Sequence, residues 1–485
     1  MLVKSWVRSF LIGKAKWLLG LGGILLIVAT TVITLISPRF ALDTPLIKHP
    51  VILLVSLMIF SGITYFVISY RSANLISSKG LLIFTITLGL ALRIVTIFST
   101  PILEDDYFRY LWDGAVTSKV YSPYEYSPEQ ILNGNGAKAI PFALKNLAKE
   151  SGEIIHQINH PQLKTIYPPI AQSAFVIAHW LKPWSVLSWR IVLLFFDIIT
   201  LILLLKILRT LNLPNSAVLV YWWNPLLVKE TFNSGHLDVI AFPFVLGALL
   251  LSLRKNYLWS VVLLTLSIGV KLWPMVLIPL VLQPLTKKPK LLLSAIGLFF
   301  LILVPLMIPY YTTGINESSG LLAFGQSWQN NDSIFKILVW GSQLILEMLG
   351  KHPGDGQFIA RILVFILIIA WISYVSSQDI NEPKELFEKS LLIIAAVFLL
   401  IPTQYPWYYS WMLPFLAVAP RPSLLLLTLV LPLYYLRYYL EPRGMLAYFN
   451  YLVVWIEFVP VWILLIVEWR SETKTILPEQ LRIVT

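Results

Sequence analysis

Runs of about 20 apolar residues return along almost the whole chain, and they constrain its fold more than any motif does. They lie near residues 17–37, 50–70, 80–99, 186–208, 257–283, 291–309, 358–376, 388–401, 406–419, 423–440 and 448–468. A segment spanning lipid must satisfy its backbone polar groups internally, and these runs are continuous rather than alternating, so they read as helices and not as barrel strands. Only 13% of the 485 residues are charged, against roughly 25% in soluble domains. That is too few to cover a water-facing surface. The expected fold is an all-α, polytopic integral membrane helix bundle forming one transmembrane domain over residues 1–485, with about 12–14 transmembrane helices.

The chain carries 37 Lys and Arg against 25 Asp and Glu. In a soluble protein that balance would suggest nucleic acid. Here it reports the membrane, because basic residues gather in short loops facing the cytoplasm and its anionic lipids, and no basic run has the interleaving of a nucleic-acid groove. Lys4, Arg8, Lys14 and Lys16 precede the first run with no small-residue cleavage site after it, which reads as a retained anchor with a cytoplasmic N-terminus. Arg470, Lys474 and Arg482 put the C-terminus on the same side. There is no cysteine, which excludes disulfides, thiolate metal sites and cysteine catalysis.

Between the runs lie polar islands. The first, Leu103 to Pro128, concentrates carboxylates and aromatics just after the run that ends near Thr100. Glu104, Asp105 and Asp106 are expected where a helix emerges into water. A carboxylate there can serve as a general base or hold a cation close to lipid-borne substrate; an acidic triplet can equally cap a helix start. Tyr107, Arg109, Tyr110, Trp112 and Asp113 recur along the helix that follows, and Tyr124 comes after Ser122-Pro123, a mixture of polar and aromatic groups suited to carbohydrate. The loop 100–167 is the longest polar segment, is expected to hold short surface helices, and ends at Tyr167-Pro168-Pro169, where proline is accepted in a helix's first turn.

Further along, Arg190 and Asp197 stand seven positions apart in one run, hence on one face, and either pair through neighbours or serve substrate. The island Lys229 to Asp238 holds His236 and Asp238, two apart, which could ligate a metal, orient a phosphate, or merely start a helix. Lys271, before Trp273-Pro274, either snorkels at a helix end or contacts a phosphate. Residues 310–350 are expected to form a second outer loop, with 333–350 lying along the surface because Lys336 and Glu347 make it a poor span. The last island, Pro402 to Trp411, carries Tyr405, Trp407 and Tyr408, which fit a membrane-interface belt.

An acidic pair in the first outer loop, then Tyr-x-Arg-Tyr-x-Trp-Asp-Gly at 107–114, Ser122-Pro123-Tyr124 and Tyr167-Pro168-Pro169 resemble the membrane-embedded C-type (GT-C) glycosyltransferases. The resemblance extends to the bacterial polyprenyl-phosphate-mannose transferases and to the catalytic subunit of the GPI mannosyltransferase. It implies an inverting transferase in a bacterial inner or plasma membrane that moves a hexose, mannose first, from a polyprenyl-phosphate donor to an extracytoplasmic glycan or glycolipid acceptor. Asp105 or Asp106 would be the base, and Arg109, Lys271 and His236 would steady the departing phosphate. The resemblance also implies that Asn233-Ser-Gly-His-Leu-Asp238 belongs to the outward cavity, and that Tyr405-Pro-Trp-Tyr408 borders the lipid-donor groove. It requires no cofactor, although two adjacent carboxylates could hold Mg²⁺ or Mn²⁺. Lys119-Val120-Tyr121 stands where a glycine usually precedes the Ser-Pro-Tyr element, which unsettles that turn. Two rivals are a lipid-linked sugar transporter, for which related halves with paired broken helices are missing, and a surface polysaccharide polymerase or ligase, which would rely on basic groups.

Overall fold

In the computed structural model the backbone is described for residues 2–72, 78–134, 139–312 and 319–483, and the side chains of 1–16, 70–72 and 472–483 are left out. Lys4, Arg8, Lys14, Lys16, Lys474 and Arg482 therefore lie outside the described side chains. The described residues form helices throughout, and their one β feature is an isolated bridge between Asn330 and Thr403. The chain is an all-α polytopic membrane bundle.

Eight described helices are long and apolar enough to cross a membrane, or nine if the bent pair Pro225–Asn233 and Leu237–Leu253 counts as one span. That is fewer than the 12–14 expected. The difference has a local cause: apolar stretches that look continuous in sequence are cut by proline and polar residues into pieces such as Tyr257–Ile268, Trp273–Leu277 and Ile278–Leu282. The helix Ile334–Met348 has 15 residues and is not among the eight.

The bend between Pro225–Asn233 and Leu237–Leu253 is 100°. Asn224 caps the first piece by accepting from the Leu227 amide at 2.9 Å, and Pro225 occupies the first turn. The helix then widens over Lys229–Asn233 and stops at Gly235, whose φ of +81° suits a residue without Cβ. Trp189 fixes the corner by donating its indole N–H to the Gly235 carbonyl at 2.7 Å.

Buried polar contacts lock this corner to the chain that carries the acidic triplet. Asn233 donates to Ser99 Oγ and to the Thr100 carbonyl, both at 2.7 Å, and accepts from the Ile102 amide at 3.0 Å. Arg190 does not pair with Asp197. Its guanidinium donates to the carbonyls of Ile97 at 2.8 Å, Ser99 at 2.6 Å and Asn233, capping the C-terminal end of the helix Lys79–Ile97. Asp197 instead forms a buried ion pair with Arg93 on that same helix.

After the triplet the loop 100–167 folds into the short helices Asp106–Ser118, Pro128–Asn133 and Phe142–Glu150. The first of these packs on Pro169–Leu181 so closely that a Cβ on Gly114 would sit 2.5 Å from the Phe175 carbonyl oxygen. The missing glycine before Ser122 has a structural consequence: Val120, 94% exposed, is held at φ +63°, where a β-branched side chain is strained. Replacing it loses no packing, so Val120→Gly is expected to stabilise the protein by about 0.5–1 kcal/mol, the relief of left-handed strain less the added chain entropy. A thermal unfolding curve in detergent checks this; a lower midpoint would contradict it.

Candidate active site

Asp105 is the N-cap residue of Asp106–Ser118, yet its side chain makes no capping hydrogen bond. Asp106 lies in the helix's first turn, so the triplet stands at the helix start without the side-chain capping bond. Asp105 Oδ1 accepts from the Asn159 side-chain amide at 2.6 Å, and Asp106 Oδ1 accepts from the same nitrogen at 3.0 Å. Neighbours on a regular helix would diverge by about 100°, but Asp105 has φ −127° and ψ 0° outside the helix, which lets both carboxylates face one cavity. Asp106 Oδ2 also lies 3.4 Å from the hydroxyls of Tyr110 and Tyr167.

That cavity, of about 360 Å³, is lined by Glu104, Asp105, Asp106, Arg109, Tyr110, Tyr167, Lys271, Tyr405, Trp407 and Tyr408 from the sequence expectations. The first island, Tyr167, Lys271 and the last island thus open on one space. The Asn330–Thr403 bridge helps, since the Asn330 amide donates to the Pro402 carbonyl at 2.9 Å and the Gln404 amide donates back to Asn330 at 3.0 Å.

Five expected residues stand behind the lining. Trp112 is buried and stacks on Trp184. Asp113 is buried and accepts from the Gln172 amide at 3.2 Å. Tyr124 donates to the Tyr167 carbonyl at 2.7 Å, supporting the wall from outside. His236, 2% exposed, lies flat against Trp407 with ring centroids 3.9 Å apart. Asp238 accepts from Lys271 at 2.6 Å and from the Trp411 indole.

The cavity also has walls that the sequence expectations did not include: Asn159, His160, Lys164 and Thr165 from the end of the long loop, Trp328 and Asn330 from the second, and Tyr434, Arg437, Tyr438 and Glu441 from the end of an apolar run. The Arg437 and Glu441 pair, 3.2 Å apart at positions i and i+4, was the available signal, since charges closing an apolar run need a polar space to face.

Charge is arranged asymmetrically. Glu104, Asp105 and Asp106 stand together, while Arg109, Lys164 and Lys271 supply cations to the same cavity. Burial first, and then the neighbouring Asp106 charge, push the Asp105 carboxyl up to about 6 against the opposing Asn159 hydrogen bond. Glu104 is raised well above the ordinary carboxylate range, first by enclosure, against the pull of Lys229 and with the help of Glu230 and the two aspartates. Burial lowers Arg109, whose guanidinium donates to the His160 carbonyl at 3.2 Å. Among the described residues no three His, Asp or Glu side chains converge as a metal-ligand set. Next to the cavity, across the segment 164–166, lies a second pocket of about 250 Å³ lined mainly by Met307, Tyr310, Tyr311, Leu321 and Leu322. Tyr310 ties it to the wall by donating to the Ile166 carbonyl at 2.9 Å.

Residues 17–286 match the family model described as alpha-(1->6)-mannopyranosyltransferase, N-terminal domain. The chain belongs to this family. The matched region contains the acidic triplet, the loop wall, the bent helix pair and Lys271, so the greater part of the cavity lining falls within it. The protein is a mannosyl-transferring glycosyltransferase of the membrane, served by a sugar donor, an acceptor and lipid. No curated protein and no solved structure matches the chain.

Proposed function

We propose that this mannosyltransferase takes mannose from a polyprenyl-phosphate donor and passes it to a hydroxyl of a glycan or glycolipid on the extracytoplasmic side, with Asp105 as general base. The observation that carries the reading is the single cavity in which a carboxylate pair faces Arg109 and Lys271. Asp105 suits the base because its raised basicity matches proton abstraction near neutrality, and one of its oxygens is committed to Asn159. Asp106 is held by Asn159 and two tyrosines, which suits orientation.

In the step, the acceptor oxygen attacks the anomeric carbon opposite the phosphate. The carbon–oxygen bond to phosphate breaks, its electron pair stays on the phosphate, and the hydroxyl proton passes to Asp105. The centre inverts. An inverting transfer that yields the α linkage in the family's description requires a β-linked donor. Lys271 and Arg109 meet the charge growing on phosphate, and the apolar pocket beside Ile166 suits the start of the isoprenoid chain.

The test is transfer of labelled mannose in proteoliposomes from β-linked polyprenyl-phosphate mannose, with the α-linked isomer and a sugar nucleotide as controls. Transfer from the β-linked lipid alone supports the reading. Transfer from the nucleotide, or movement of lipid-linked sugar between leaflets without transfer, would overturn it. Lys271→Met keeps the stem over the Tyr408 ring, 4.5 Å from the present ammonium, but removes the charge. Its kcat/KM is expected to fall about 10- to 100-fold, the worth of one charge-assisted bond, and Lys271→Arg should recover most of the loss. Equal defects in both variants would assign Lys271 to packing.

A further inference from the structure

His236 occupies a position that substrate contact does not explain. It is 2% exposed and does not line the cavity, yet its two ring nitrogens face two carboxylates. Nδ1 lies 3.7 Å from Asp106 Oδ2, and Nε2 lies 3.4 Å from Glu230 Oε2. Both nitrogens and Glu230 Oε2 are buried without a well-formed hydrogen bond. An orphaned polar atom at that depth is costly, so three of them aligned in one row call for a reason.

Around those three atoms the row is held by its neighbours. Glu230 Oε1 accepts from the Tyr435 hydroxyl, with Lys229 3.4 Å away. The backbone holds His236 through its amide N–H, which donates a hydrogen bond to the Glu230 carbonyl at 3.0 Å, across the corner at Gly235. One face of the imidazole is covered by Trp407, which stacks in turn on Tyr405 at 4.4 Å. Thus the ring is fixed in its plane, and the slack lies along the row, widest between Nδ1 and Asp106, whose carboxylate is 26% exposed and belongs to a different segment. Hydrogen bonds of working sites are often long before substrate arrives and shorten in the complex.

We infer that His236 is a positioning residue that acts through Asp106, with Glu230 orienting it from behind: a buried Glu230–His236–Asp106 row that draws the aspartate pair into register when the cavity fills. The inference rests on the reading of Asp105 and Asp106 as the working pair. Asp106 shares the Asn159 amide with Asp105, so a pull on Asp106 is transmitted to the base through one nitrogen. Trp407 couples the row to the cavity lining, because any ring that settles against Trp407 and Tyr405 presses on the plane that holds the imidazole.

The experiment compares His236→Phe, His236→Asn and His236→Gln in the proteoliposome transfer assay, with Asp105→Asn alongside. Phe retains a ring against Trp407 but carries no donor; Asn places an amide near the Nδ1 position, and Gln near Nε2. His236→Phe is expected to lower kcat about 10- to 100-fold with donor KM within about twofold, and His236→Asn to recover more of kcat than His236→Gln. Combined with Asp106→Asn, the Phe variant should cost little beyond the single Asp106 change. A rise in donor KM at constant kcat would make His236 a substrate contact and overturn the inference, as would equal losses in all three variants with additive loss in the double variant. If Asp105→Asn is inactive while His236→Phe equals the parent, the inference falls and the transferase reading stands. If Asp105→Asn is fully active, that reading falls first.

Discussion

Asp105→Asn is expected to lower kcat/KM for mannosyl transfer by about 10²- to 10⁴-fold, the contribution of a positioned general base, while donor binding persists. The substituted amide keeps the size of the carboxyl and can still meet Asn159, so the loss is one of proton acceptance. The parent's kcat/KM should carry an acid limb near pH 6, because burial lifts the Asp105 carboxyl to about 6 and only its ionised form accepts the proton. Below that value activity should approach a tenfold fall per pH unit. The neighbouring Asp106 charge is one of the raising causes, so Asp106→Asn should move the limb to lower pH while reducing kcat. Folding stability has the opposite sign. A carboxyl raised in the folded state favours folding while protonated, and that advantage is lost as pH rises through about 6. Asp105→Asn should therefore melt no lower than the parent at neutral pH. Activity within fivefold of the parent, or a limb that stays put in Asp106→Asn, would remove Asp105 from the role of base.

The class of fold was legible because lipid leaves so few options: runs of 20 apolar residues with 13% charge overall can only be helices in a membrane. Their number was less so. A run such as 257–283 has the composition of one long helix, but Pro274 and Pro279 break its later half, and whether a broken piece crosses or turns back is settled by packing. The acidic triplet stood out because ionised groups at a membrane exit are costly unless used. What sequence could not supply was depth. His236, Asp238 and Lys271 look equivalent as polar residues beside apolar runs, yet Lys271 reaches the cavity and the other two stand behind it, because the 100° corner at Ser234 to His236 turns the imidazole inward. Asn159 was invisible for a related reason. An asparagine in a long loop carries no signal until the loop folds back 54 residues in sequence to meet Asp105.

The largest stability effect is expected far from the chemistry, at the ion pair between Arg93 and Asp197. Both side chains are fully buried within membrane-spanning helices, where an unpaired charge is at its most expensive. Arg93 also donates to the carbonyls of Gly89 at 2.9 Å and Trp222 at 2.7 Å and lies 3.4 Å over the Trp222 ring, while Asp197 accepts from the Tyr221 hydroxyl. The pair thus joins three segments: Lys79–Ile97, Val186–Thr210 and Leu219–Trp222. Asp197→Ala or Arg93→Leu should each destabilise by about 3–5 kcal/mol, because either leaves the partner charge buried alone. The double variant should cost clearly less than the two together, and a double-mutant cycle on thermal unfolding in detergent measures that difference. Single variants as stable as the parent would show that the remaining hydrogen bonds already satisfy each charge. The consequence for catalysis follows from connectivity: Lys79–Ile97 leads directly to Glu104, Asp105 and Asp106, and its end is held by Arg190 and Asn233. Loosening the helix at Arg93 should lower transfer in the single variants even where the carboxylates are intact, since register at the cavity is set by where that helix stops.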